Sequence, residues 1–154
     1  MLVEVLCVCR RPPAWVSELC ADYARRLKRS DELTFRYLNP GPDGVDSAVR
    51  RRDETSRIKA ALKTGTHLVA LDERGDAWSS VELAQRFAQW RERHKHLTLA
   101  IGGADGFDAA LLDSAAESWS LSRLTLPHLF VQVVIAEQLY RAASILVGHP
   151  YHRP

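Results

Sequence analysis

Strand-like and helix-like segments alternate along the whole of this chain, and that alternation limits its fold more than any single residue does. Residues 2–9 form an apolar run rich in Val and Leu. Arg11-Pro12-Pro13 breaks it, and Trp15, Leu19, Tyr23 and Leu27 then recur every four residues, so a helix follows the strand. Residues 33–38 read as a second strand, stopped by Asn39-Pro40-Gly41-Pro42-Asp43-Gly44, whose fixed and permissive backbone angles continue neither structure. A basic helix over 46–63 and a compact buried strand over 67–71 come next. Ser79 stands three residues before Glu82, a capping box that opens a helix ending near His94, and residues 97–101 are the following strand. A helix around 108–116, a short strand near 119–121 and a long helix over 129–147, with Gly148 placed to end it, complete the series. Such alternation predicts an α/β fold with a parallel sheet covered on both faces. The 154 residues suit a single domain spanning 1–154.

Composition removes several classes. No run of about 18 apolar residues is present to span a bilayer, and Met1-Leu2-Val3-Glu4-Val5-Leu6 carries an acid where a secretory signal is basic, so a cytoplasmic protein without membrane contact is expected. Cys7, Cys9 and Cys20 include no C-x-x-C pair, which argues against a disulfide framework and against zinc; Cys7 and Cys9 read as small buried hydrophobes. The pairs His94/His96 and His149/His152 lack a third ligand of consistent placement, so no metal is expected. A net charge of +2 does not by itself announce nucleic-acid binding. Two cation clusters are still notable, one of Arg25, Arg26, Lys28 and Arg29 and one of Arg50, Arg51, Arg52, Arg57, Lys59 and Lys63. Each reads either as a solvated helix face or as a phosphate-contacting one.

In an open parallel sheet, ligands bind beyond the carboxyl ends of the strands. Three segments fall there: Leu71-Asp72-Glu73-Arg74-Gly75, Ile101-Gly102-Gly103-Ala104-Asp105-Gly106, and residues 121–128. Paired glycines after an apolar strand let backbone approach a ligand closely, or simply make a tight turn. Their spacing is not G-x-G-x-x-G and no Lys-Ser/Thr follows, which weighs against a dinucleotide or a nucleoside triphosphate. Residues 120–128 mix Leu121, Leu124 and Leu126 with Ser122, Arg123 and Thr125, offering apolar contact and backbone hydrogen bonds together, a suitable lining for an adenosine.

Cys9-Arg10-Arg11-Pro12-Pro13-Ala14-Trp15-Val16, Leu71-Asp72, Ser118-Trp119-Ser120-Leu121-Ser122, Leu124-Thr125-Leu126-Pro127-His128, Glu137-Gln138-Leu139-Tyr140-Arg141-Ala142 and His149-Pro150-Tyr151-His152-Arg153 occur in one order from end to end. In these motifs the chain closely resembles the ribosomal RNA large subunit methyltransferase H family of SPOUT-class enzymes. The resemblance implies a parallel-sheet SPOUT-type fold with a C-terminal trefoil knot, and a homodimer that completes each active site. It also implies S-adenosylmethionine as cofactor and methyl transfer to N3 of a pseudouridine in 23S rRNA, within the ribosome. Carried over by position, the cofactor contacts fall on Leu71, Gly102, Leu121, Ser122, Arg123, Leu124, Thr125 and Leu126.

That reaction removes an imide proton as nitrogen attacks the methyl group, so a base and in-line alignment are needed. His128 and His152 are the candidates for the base. Tyr151 and Arg153 could orient it or hold a phosphate, and Glu137 could orient a partner or pair with a cation. The chain departs from the family at Gln132, where an arginine is usual, at Pro154, and around 41–46. A second class stays open, a ribosome-associated RNA-binding protein of the same fold that has lost turnover.

Overall fold

Strand β1 (Leu2–Val8) is apolar at every position but Glu4 because it is covered on both sides: Val3, Val5 and Cys7 enter one cluster of buried side chains, Leu6 and Val8 another. In the computed structural model, which describes residues 1–27 and 31–152, it lies inside a five-stranded sheet. The other strands are β2 (Glu32–Leu38), β3 (His67–Ala77), β4 (His96–Ile101) and β5 (Glu117–Ser120), in the order β2-β1-β4-β3-β5 with every ladder parallel.

Helices α1 (Ala14–Leu27), α3 (Ser80–Arg93) and α5 (His128–Leu146) share one face of the sheet, burying Val16, Phe87 and Ile135 with the odd-numbered residues of β1. Helices α2 (Ser47–Ala61) and α4 (Ala109–Ser114) cover the other face through Ile58 and Leu111. The capping box is present: Ser79 Oγ accepts the Glu82 N–H at 3.2 Å, and Glu82 Oε2 accepts the Ser79 N–H at 2.7 Å. Asp46 and Asp108 cap α2 and α4 in the same manner. By length and composition alone α5 is apolar enough to cross a membrane. Here it packs between α1 and α3, with Gln132, Ile135, Ala136, Leu139 and Ala142 all at 0% exposure.

Two elements differ from the sequence reading. β3 does not stop at Leu71 but runs on to Ala77, because the chain leaves the ladder after Leu71 and rejoins β5 at Asp76 with a shifted register. The bulged stretch is polar, so a period-two apolar pattern cannot reveal it. Gly75 is what lets it close: a Cβ there would lie 2.6 Å from the Ser118 carbonyl carbon. β5 begins at Glu117, ahead of the apolar Trp119, because the Glu117 carboxylate is taken up by Trp90 Nε1 and His67 Nε2, each at 2.7 Å, and by Arg86. Cys7, Cys9 and Cys20 are all buried free thiols, and burial pushes Cys20 up to about 11.

Candidate cofactor cleft and active site

The carboxyl ends of β3, β4 and β5 open into one cleft of about 1200 Å³. Residues 71–74 form one wall, 101–110 a second, and 119–122 with 124–128 a third; Val131 closes it from the first turn of α5, and Arg51 and Arg52 of α2 stand at its edge. All the cofactor-contact residues expected from the sequence line this cleft except Arg123, which is exposed and lies outside the lining.

The third wall owes its shape to its own hydroxyls. Ser120 Oγ donates to the Ser122 carbonyl at 3.0 Å, Ser122 Oγ accepts the Leu124 N–H at 2.9 Å, and Thr125 Oγ1 donates to Glu73 Oε2 at 3.3 Å. Among the described residues, the backbone N–H and C=O groups of Arg123, Thr125 and Leu126 take no hydrogen bond from the rest of the protein. Apolar side chains beside unpaired backbone donors and acceptors are what a purine ring with polar edges needs. Asp72, Glu73, Asp105 and Asp108 line the cleft together with Arg51, Arg52 and Arg74; Asp72 pairs with Arg74 and Asp105 with Arg50, so Glu73 and Asp108 are the carboxylates left to meet a cation among the described residues. Burial opposes ionisation of Asp72, but the hydrogen bonds and charge of Arg74 outweigh it and hold the carboxyl below the usual carboxylate range. The residues present therefore fit a positively charged nucleoside cofactor.

Of the two roles the sequence left open for the glycine pair, the tight turn is the one its packing displays. A Cβ on Gly102 would meet Phe107 Cε1 at 3.2 Å and the Gly106 carbonyl carbon at 3.3 Å, so the missing side chain makes room inside the turn itself. At Gly103 a Cβ would fall 2.6 Å from Oε2 of the buried Glu54. The turn is closed by Gly106 N–H donating to the Gly103 carbonyl at 3.0 Å, and Gly106 has a positive φ of 75°.

The catalytic candidates separate. His128, the first residue of α5, borders the cleft. Glu137, Tyr151 and His152 do not; the tail folds back on the far part of α5. Glu137 Oε1 accepts from Arg141 Nε at 2.9 Å and from the Tyr151 hydroxyl at 3.0 Å, and Tyr151 packs edge-on against Tyr140. Burial, Tyr23 and Glu137 together push the Tyr151 phenol far above its ordinary range, so it remains protonated at neutral pH. His152 is half-buried, and its Nδ1 has no partner among the described residues. Arg153, like Lys28, Arg29 and Pro154, lies outside the described residues. Among the described residues there is no group of three or more His, Cys, Asp or Glu able to hold a metal; His94 stacks on His67 at 4.3 Å instead.

The family model described as "Predicted SPOUT methyltransferase" matches residues 1–152. The chain belongs to the SPOUT methyltransferase family. A relative from Methylococcus capsulatus named "Ribosomal RNA large subunit methyltransferase H" is 44% identical over 155 residues, covering 99% of this chain and 100% of its own. Relatives of the same name from Xanthomonas oryzae pv. oryzae and Xanthomonas campestris pv. campestris are each 43% identical over 99% of both chains. Methyltransferases of this family use a methyl donor. Sequence reasoning missed the walls contributed by Trp119 and Val131 and the buried carboxylate of Glu54. The first two read as core. Glu54, set among the cations of α2, carries no apolar period to mark it as inward-facing.

Proposed function

We propose that the chain transfers a methyl group from S-adenosylmethionine to N3 of a pseudouridine in large-subunit (23S) rRNA, as a cytoplasmic homodimer with a C-terminal trefoil knot. The observation that carries this reading is the cleft of residues 71–74, 101–110, 119–122 and 124–128, with its unpaired backbone and the Glu73 carboxylate, in a chain similar from end to end to relatives named for that activity.

When bound, S-adenosylmethionine supplies an electrophilic methyl group on a positively charged sulfur. Leu121, Leu126 and Val131 pack against the nucleoside, and the 121–126 backbone holds its polar edges. Glu73 favours the cation electrostatically over neutral analogues of the same shape. His128, at the cleft mouth, orients the incoming nucleotide. Arg10, Arg11, Arg51 and Arg52, which have no ion-pair partner among the described residues, receive the RNA phosphates.

Support for the homodimer comes from the outer surface of α1 and α5. Trp15 and Phe130 lie 5.6 Å apart and are 43% and 54% exposed, with Leu19 one turn along α1. Large apolar side chains left open in a patch mark an association surface. In such a pair Tyr151, His152 and Arg153 of one chain reach the neighbour's cleft, where they hold RNA.

The test is a paired measurement on protein truncated after Gly148. Calorimetry is expected to give unchanged S-adenosylmethionine affinity, and tritiated methyl incorporation into undermethylated ribosomes is expected to vanish. An intact chain that binds neither S-adenosylmethionine nor S-adenosylhomocysteine would mean a degenerate RNA-binding module. Light scattering of the intact protein should return twice the 17.3 kDa chain mass.

A further inference from the structure

We propose that a second pocket beside the cofactor cleft is the subsite for the target uracil ring, and that Glu54 in its floor accepts the imide proton; the proposal rests on the methyl-transfer reading above. The pocket holds about 410 Å³ and shares Gly103, Ala104 and His128 with the main cleft, so a ligand in one abuts a ligand in the other. That volume falls at the lower end of the roughly 300–1,000 Å³ range of small-molecule sites, a fit for a single nucleotide. Pro12, Pro13, Pro40 and Leu129 present apolar surface to a ring's faces. Arg10 and Arg11 stand among its lining residues without ion-pair partners among the described residues, where a nucleotide's flanking phosphates need cations.

Glu54 is the feature that decides the ligand. It is 2% exposed, and its Oε1 accepts the Gly41 N–H at 2.9 Å, while Oε2 has no hydrogen-bond partner among the described residues. A buried carboxylate oxygen without a donor is costly, and the cost calls for a group that arrives with one. Gly103 makes room for the oxygen, since a Cβ there would lie 2.6 Å from it. Oε2 is shielded from bulk water, so a ring N–H meets it only as the Gly103 turn packed against it gives way to the entering ligand. A uracil ring brings one N–H flanked by two carbonyl groups, which suits a lone acceptor between apolar walls and cationic edges. In the transfer, the N3–H bond breaks and its proton passes to Glu54 Oε2. The nitrogen electron pair forms the new bond to the methyl carbon, and the carbon–sulfur bond breaks with its electrons left on sulfur, giving a neutral thioether.

Glu54→Gln keeps an oxygen for the Gly41 N–H and removes the proton acceptor. In the full-length protein, S-adenosylmethionine affinity is expected to stay within about twofold of wild type. Single-turnover transfer at saturating rRNA is expected to fall about 100-fold or more, the range of a lost general base. A wild-type rate in Glu54→Gln overturns the proposal. So does a loss of cofactor affinity that matches the loss of rate, because Glu54 would then merely prop the Gly103 turn. A third overturning result is His128→Ala losing the rate where Glu54→Gln keeps it. A separate measurement on folded wild-type protein does not depend on turnover: pseudouridine 5′-monophosphate should shift the amide resonances of Gly41 and Gly103. No shift at saturating nucleotide rejects the subsite, whereas shifts in a protein that methylates no rRNA would reject the methyl-transfer reading and leave the subsite standing.

Discussion

The Tyr151 hydroxyl donates to Glu137 Oε1 across 3.0 Å, and Arg141 holds the same oxygen from one turn further along α5 while its guanidinium lies 5.0 Å from the Tyr151 ring centre. The tail is thus clasped by a carboxylate, a cation, the Tyr23 hydroxyl and the Tyr140 ring. Tyr151→Phe removes the donor and leaves the ring in place. A hydrogen bond to a charged acceptor contributes about 1.5–3 kcal/mol, and solvent screening at this half-buried position reduces it. Methyl transfer to rRNA is expected to drop severalfold with cofactor affinity unchanged, as measured by incorporation and calorimetry on one preparation.

Gly102→Val should act through the turn. The added carbons would press on Phe107 and Gly106, and overpacking of this kind costs about 1–3 kcal/mol. The thermal midpoint is expected to fall by several degrees together with at least a tenfold loss of S-adenosylmethionine affinity. Lost affinity at an unchanged midpoint would instead put the side chain in direct conflict with the cofactor.

At Glu117, burial opposes the charge, but hydrogen bonds from His67 and Trp90 and the charge of Arg86 outweigh it and hold the carboxyl below the usual glutamate range. A depressed folded value means the contribution is complete above the unfolded value of about 4.3 and is lost as pH falls through the folded one. Wild-type protein should therefore lose stability more steeply in acid than Glu117→Gln, with the two converging at low pH. Parallel melting curves between pH 7 and pH 3 would contradict this assignment.

Gln132 occupies a fully buried position, where among the described residues its Nε2 donates only to Cys9 Sγ at 3.6 Å and its Oε1 has no partner. Replacing a half-satisfied amide with an apolar group of similar size removes that cost, about 1 kcal/mol. Gln132→Leu should raise the melting midpoint by roughly 2–4 °C in a chain of this length. A lower midpoint would show that the amide has a partner in the assembled protein.

The parts of this fold legible in the sequence are those in which one residue acts on its neighbours. Ser79 and Glu82 announce α3 because a cap is a local hydrogen-bond exchange, and residues 2–9 announce β1 because burial on both faces leaves Glu4 as their one charged position. The extension of β3 past Leu71 was not legible, since its pairing depends on Gly75 meeting Ser118, which is distant in the chain. The cleft wall formed by Leu121, Ser122, Leu124, Thr125 and Leu126 could be read from its own mixture of leucine and hydroxyl residues. Glu54 could not: its burial is set by Gly41 and Gly103 across two loops, and among the arginines of α2 it resembles a solvated acid. The separation of His128 from Tyr151 was equally hidden, because contiguity in sequence says nothing of which way a tail turns.

One rigid rod governs where chemistry can happen. Helix α5 starts at the cleft with His128 and is anchored through Ile135, Leu139 and Ala142, while its own tail is pinned at Glu137, about 14 Å further along the axis. A solitary chain cannot bring that clasped tail to its own cleft without tearing it from Glu137. If turnover requires both, velocity at high dilution must rise with the square of chain concentration and become first order only once partners are saturated. An equimolar mixture of one variant defective in the cleft and another lacking the tail should then recover a fraction of wild-type turnover that neither possesses alone.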